Sequence, residues 1–135
     1  MHKNKTLATL LALLFGAIGL HRFYLYGRRD AWGWLHAATL PLSALLLMSR
    51  PDAQTFFTAA PLIVSALVGC LEALIIGLTA DEKWDARHNL GSPRHSKSGW
   101  FLVLLLVLSL GVGATGLIAA MARTFDLLFT GGAYG

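Results

Sequence analysis

The chain has 135 residues, 56 % of them hydrophobic and only 13 % charged, with a formal net charge of +4. Soluble proteins carry roughly 25 % charged residues, and the few charges here avoid the long apolar runs, so no water-facing shell can be assembled. Composition excludes a soluble enzyme, a nucleic-acid-binding domain and a disordered chain, and leaves one all-α domain in a membrane.

A backbone in hydrocarbon must satisfy its own hydrogen bonds, as helices or as a closed barrel. Barrel strands need about ten residues of alternating polarity, and none alternate here. The first apolar stretch is TLATLLALLFGAIGL, Thr6 to Leu20, continuing into HRFYLYG. Fifteen helical residues rise only about 22 Å against a core of about 30 Å, so the stretch either thins the bilayer locally or uses Phe23 to Tyr26 to finish a crossing over about 6–27. Lys3 and Lys5 before a short apolar run imitate a signal peptide. The bulky, basic HRFYLYGRRD that follows offers no small-residue cleavage site, so an uncleaved span is expected.

The second stretch covers about 31–49 and contains Pro41, which is expected to kink it. The third covers about 56–79. Next comes the polar linker Ala80 to Ser98, whose DEKWD start reads as a short helix and whose Gly-Ser-Pro centre reads as a flexible loop. The fourth stretch covers 99–122, and the tail 123–135 carries TFDLLF, expected as a short interfacial helix. The reading is a polytopic bundle of four transmembrane helices.

Four crossings place both termini and the middle loop on one side. That side would hold Lys3, Lys5, Arg50 and Arg123, and the other Arg22, Arg28, Arg29, Lys83, Arg87, Arg94 and Lys97. Lys and Arg accumulate on the cytoplasmic side, so the first and third loops are expected in the cytoplasm and both termini in the periplasm of a bacterial inner membrane. Trp32, Trp34, Trp84 and Trp100 all fall near the more basic side, as one interfacial aromatic belt would.

Small residues recur every fourth position in the third stretch, at Ser65, Gly69, Ala73 and Gly77. Such stripes let helix backbones approach closely, and packing drives association in lipid. They serve either this monomer or an interface between copies. Glu72 is the only acid inside any stretch, and an acid at the helix centre costs roughly 2.5–3.5 kcal/mol when charged. It lies seven residues before Thr79, about 10 Å along a helix, and His36 lies six residues after Asp30. His21 and Arg22 end the first stretch on the same side, so four polar groups share one leaflet. Glu72 then reads as an interhelical staple, a proton or cation site, or a partner contact.

Other chemistry is thin. Cys70 is the only cysteine, so no intramolecular disulfide forms, and a thiol in an apolar span is inert. His88 and His95 beside Asp81, Glu82 and Asp85 match no standard metal spacing, and a solvated loop is expected. No phosphate-binding Gly-Lys motif or hydrolase constellation is present. No cofactor, metal, nucleic acid or small-molecule substrate is assigned. The expected partners are the lipid bilayer and either a second copy or a larger membrane complex.

The run Gly16-Ala17-Ile18-Gly19-Leu20-His21-Arg22-Phe23-Tyr24-Leu25 resembles the signature of the TM-two domain family, a pair of membrane helices joined by a tight hairpin. The likeness is read over about Lys3 to Thr79, and Leu71-Glu72-Ala73-Leu74 is similar to the family's acid inside a hydrophobic run. Tyr26 intervenes before Gly27, where the family has Gly directly. Glu72 stands where the family has Asp with an upstream Trp. The resemblance implies a fold rather than an activity. The function expected is a non-enzymatic interaction or scaffold component, and the alternative is a small proton- or cation-coupled transporter using Glu72.

Overall fold

The computed structural model describes residues 2–134; Met1 and Gly135, the first residue and the last of the tail, lie outside it. Regular structure among the described residues is entirely helical. Helix α1 spans Lys5–Phe15 and starts on Asn4, whose side chain accepts from the Leu7 N–H and so satisfies one open amide of the first turn. A single 3-10 turn over Gly16–Ile18 follows, and then Gly19 at φ +75° opens α2, Leu20–Tyr26. Helix α3 spans Ala31–Ser49, α4 is one turn at Thr55–Thr58, and α5 spans Ala60–Leu78. Helix α6 spans Asp81–His88 and α7 spans Trp100–Thr130.

The N-terminal segment enters the bundle and turns back. Asn4 N donates to Tyr24 Oη at 2.9 Å, and Lys3 Nζ donates to the Tyr24 carbonyl at 2.7 Å. The start of α1 and the middle of α2 therefore lie at one end. Lys5 Nζ donates to the Thr79 carbonyl at 2.8 Å and pairs with Asp81 at 2.5 Å, and Trp84 Nε1 donates to the Lys3 carbonyl at 2.9 Å. That end also carries the linker.

Two expectations are corrected here. The segment 6–27 is a hairpin rather than one continuous crossing, because the left-handed Gly19 reverses the chain after α1, whose eleven residues rise only about 16 Å. The N-terminus accordingly sits with the linker rather than opposite it.

Three helices, α3, α5 and α7, are long and apolar enough to cross a membrane. Each runs antiparallel to the one before. His36 on α3 meets Ser65 on α5, while Ser43, further along α3, accepts from the Leu62 N–H nearer the start of α5. Gly77 faces Leu106, Gly113 faces Cys70 and Gly116 faces Leu67, so α7 descends as α5 rises. The chain thus leaves the linker end through α3, returns through α5 and leaves again through α7. The tail's TFDLLF continues α7 rather than forming a separate helix, and the helix ends at Gly131, φ +68°.

The core is built of small side chains. Ala8, Ala12 and Ala73 are fully or almost fully buried, with Ile76 and Trp84 beside them. Trp32, Trp34 and Trp100 are exposed, whereas Trp84 is buried against the N-terminal segment it bonds. It therefore does not share the exposed setting of the other three. The linker is pinned rather than loose: Asp85 accepts from the amide and hydroxyl of Ser96, and Asp81 from those of Ser98.

Candidate intramembrane polar site

Four side chains and one loop carboxylate meet between the hairpin, α3 and α5. Gly19 brings them within reach. A Cβ there would sit 2.6 Å from the Gly33 carbonyl oxygen and 2.9 Å from His36 Cβ, so glycine is required both by its positive φ and by the approach of α3. The turn aims His21 and Arg22 back at α5, while Phe23 covers Gly33 and packs edge-on against Trp34 at 5.2 Å. Tyr24 ties the hairpin to the N-terminus, and Leu25 packs against the core. Tyr26 lies under the Arg22 guanidinium, 4.6 Å from its ring centre, and beside His88.

Glu72, on α5, is the hub. Its Oε1 is 2.6 Å from His36 Nε2, and its Oε2 is 3.3 Å from Arg22 Nη1 and 3.0 Å from His21 Nε2. Arg22 is shared with Asp30, to which Nε donates at 2.9 Å and Nη2 at 3.2 Å. Asp30 also caps α3 by accepting from the Gly33 N–H at 2.7 Å. The Arg22 hydrogen bonds, joined by that amide, hold the Asp30 carboxyl below the usual range against the opposing effect of burial.

The protons on His36 follow from its neighbours. The Ser65 hydroxyl has one proton, and it goes to the Ala17 carbonyl at 2.6 Å. His36 Nδ1, 2.6 Å from the same oxygen, must then be the donor. This leaves Nε2 facing Glu72, so one proton is shared between imidazole and carboxyl. His21 differs. It is completely buried, and neither ring nitrogen has a hydrogen-bond partner among the described residues. Its Nε2 keeps a 3.0 Å ionic contact with Glu72 Oε2. A cavity of about 240 Å³ reaches this group from the linker end, bounded by His21, Arg22, Glu72, Thr79, Arg87 and His88.

The small-residue stripe frames the site. Gly69 meets Gly16 backbone to backbone, Ser65 bonds Ala17, Ala73 is fully buried, and Gly77 receives Leu106 of α7. Sequence reasoning missed Asp30 as the second anchor of Arg22, although an Asp directly before an apolar run is a helix-cap signal. It also missed the hydrogen-bonding role of Ser65, counted there only as a small residue. Outside the site, His88 stacks on Trp84 at 4.2 Å, and His95 Nδ1 lies 3.9 Å from Asp85.

Residues 1–47 match the model of the TM2 domain. The matched segment covers α1, α2 and most of α3. The match ends before α5, so Glu72 lies outside it, and the likeness read from sequence to Thr79 is shortened accordingly. In TM2 terms, the Gly-x-x-Gly-x-His-Arg-Phe-Tyr-Leu run is the reversing turn of the hairpin. No curated protein and no solved structure matches the chain.

Proposed function

We propose that this membrane protein is a non-enzymatic interaction or scaffold component of the inner membrane, with the polar site acting as the staple that locks the TM2 hairpin onto α3 and α5. One observation carries the reading: Glu72, the only acid inside the long apolar helices before the end of α7, is held by His36 and Arg22 and abutted by His21. A carboxylate so engaged joins three elements. The outer faces of α3 and α7 carry Leu45, Met48, Val107 and Ile118 largely exposed, apolar surface for lipid or for a helix of a neighbouring subunit.

The hairpin supports an orientation. With the N-terminus at the linker end, Lys3, Lys5, Arg22, Arg28, Arg29, Lys83, Arg87, Arg94 and Lys97 gather there, against Arg50 and Arg123 at the far end. Positive-inside then favours a cytoplasmic N-terminus and linker and a periplasmic C-terminus.

Purification in mild detergent with identification of co-purifying membrane proteins tests the scaffold reading; a monomer that brings down nothing, with or without cross-linking, overturns it. The cavity reaching Glu72 from one end favours the alternative, a proton- or cation-coupled transporter. Glu72-dependent proton uptake in liposomes would establish that alternative in its place.

A further inference from the structure

We propose that His21, His36 and Glu72 form a binding site for one divalent transition-metal ion of the zinc class. The inference goes beyond the scaffold reading and does not depend on it.

Three observations carry it. The first is the donor set: two imidazole nitrogens and a carboxylate oxygen lie within 4.8 Å of one another. Zinc bonds of about 2.0–2.2 Å to His and Glu put ligand atoms a little over 3 Å apart in a tetrahedron, so small side-chain adjustments close the set. Two histidines and one carboxylate suit zinc or ferrous iron and not calcium or magnesium, which take oxygen ligands.

The second is His21. A fully buried imidazole whose two nitrogens make no hydrogen bond, with only the 3.0 Å ionic contact of Nε2 to Glu72, is costly to bury. An ion between His21, His36 and Glu72 supplies the missing partner.

The third is the surrounding shell. Ligating histidines donate their second nitrogen to an oxygen that fixes the tautomer, and His36 Nδ1 does so to Ser65 Oγ, itself anchored on the Ala17 carbonyl. His36 therefore presents Nε2 to the site. Arg22 is held chiefly by Asp30 and reaches Glu72 at 3.3 Å, so Glu72 brings a carboxylate to the two rings. Binding replaces the proton shared by His36 and Glu72, which leaves as a free proton, and ion and proton share the cavity that opens toward Thr79 and His88. That cavity also supplies the open fourth position.

The test uses the full chain in detergent, purified without a histidine tag and stripped with a chelator, then titrated with Zn²⁺ and with Co²⁺ as a spectroscopic probe. The expected result is one ion per chain, a tetrahedral Co²⁺ spectrum and a raised thermal midpoint. The zinc X-ray absorption of the wild-type chain should show two imidazoles. Replacing the loop histidines His2 and His95 by Gln together should leave all of this unchanged.

His21→Gln should abolish binding, and Ser65→Ala, which touches no ion, should weaken it roughly 10–100-fold. Should His21→Gln fail to fold, the wild-type absorption spectrum and Ser65→Ala still decide. No binding at micromolar zinc, fewer than two imidazoles on the bound ion, or loss of binding only in the loop-histidine variant would each overturn the proposal.

Discussion

Gly16 and Gly69 meet with no side chain between them: a Cβ built on Gly16 would lie 2.7 Å from Gly69 Cα, and one on Gly69 would lie 2.8 Å from Gly16 Cα. The obstacle on each side is backbone, which cannot rotate away as a side chain can. This contact sets how deeply the hairpin enters, and so the height at which His21 and Arg22 reach Glu72.

Gly69→Ala should therefore destabilise the protein by about 1–3 kcal/mol, the usual cost of overpacking a tight core, and Gly69→Leu by more. Thermal unfolding in detergent measures both. Unchanged midpoints for the pair would show that α1 does not pack on α5 here.

Substitutions at Glu72 should rank by hydrogen bonding. Glu72→Gln keeps an acceptor for Arg22 or His36 and should be tolerated in the metal-free protein. Glu72→Leu removes the Glu72-facing hydrogen bonds of both groups and should cost about 1–3 kcal/mol more. Equal stability of the two variants would refute the staple.

The hairpin makes a geometric prediction. His2 Nδ1 lies 3.4 Å from Ser92 Oγ, so His2→Cys with Ser92→Cys, in a Cys70→Ser background, should be joined by a short thiol cross-linker in membranes. A chain whose N-terminus lay across the bilayer from the linker would give no intramolecular product.

The linker should loosen in acid. Hydrogen bonds from the Ser96 hydroxyl, the Asn89 amide and the Ser96 N–H hold the Asp85 carboxyl down at about 2, against an ordinary 3.8. Its folded value lies below its unfolded one, so its contribution is complete above about pH 4 and is lost as pH falls toward 2. Hydrogen exchange at Ser96 should rise across that window in the wild type. In Asp85→Ala it should be fast throughout, and a protected Ser96 amide in that variant would contradict the clamp.

The N-terminal tether rests on a buried lysine. Lys5 is 4 % exposed and holds both the Thr79 carbonyl and Asp81. Lys5→Met keeps the apolar stem and removes the charge, so Asp81 loses its partner and proteolysis of the first five residues should accelerate. Cleavage at the wild-type rate would mean that the tether contributes nothing.

Sequence alone determined what depends on composition and local spacing. Fifty-six per cent apolar residues and runs such as Phe101 to Ala122 require a membrane, because no soluble shell can cover them. The four-residue recurrence of Ser65, Gly69, Ala73 and Gly77 belongs to one helix face, and helical rise alone put Glu72 and His36 in one leaflet. Tertiary structure decided the rest. Whether Gly19 is an ordinary helical residue or a left-handed reversal depends on Gly33 and His36 arriving from α3, which no window around residue 19 contains. That single backbone choice turns a marginal first span into a hairpin, moves Lys3 and Lys5 to the linker end, and aims His21 at Glu72. Sequence spacing could place these groups at one depth; only the packing of three separate elements could bring His21, His36 and Glu72 within 4.8 Å of one another.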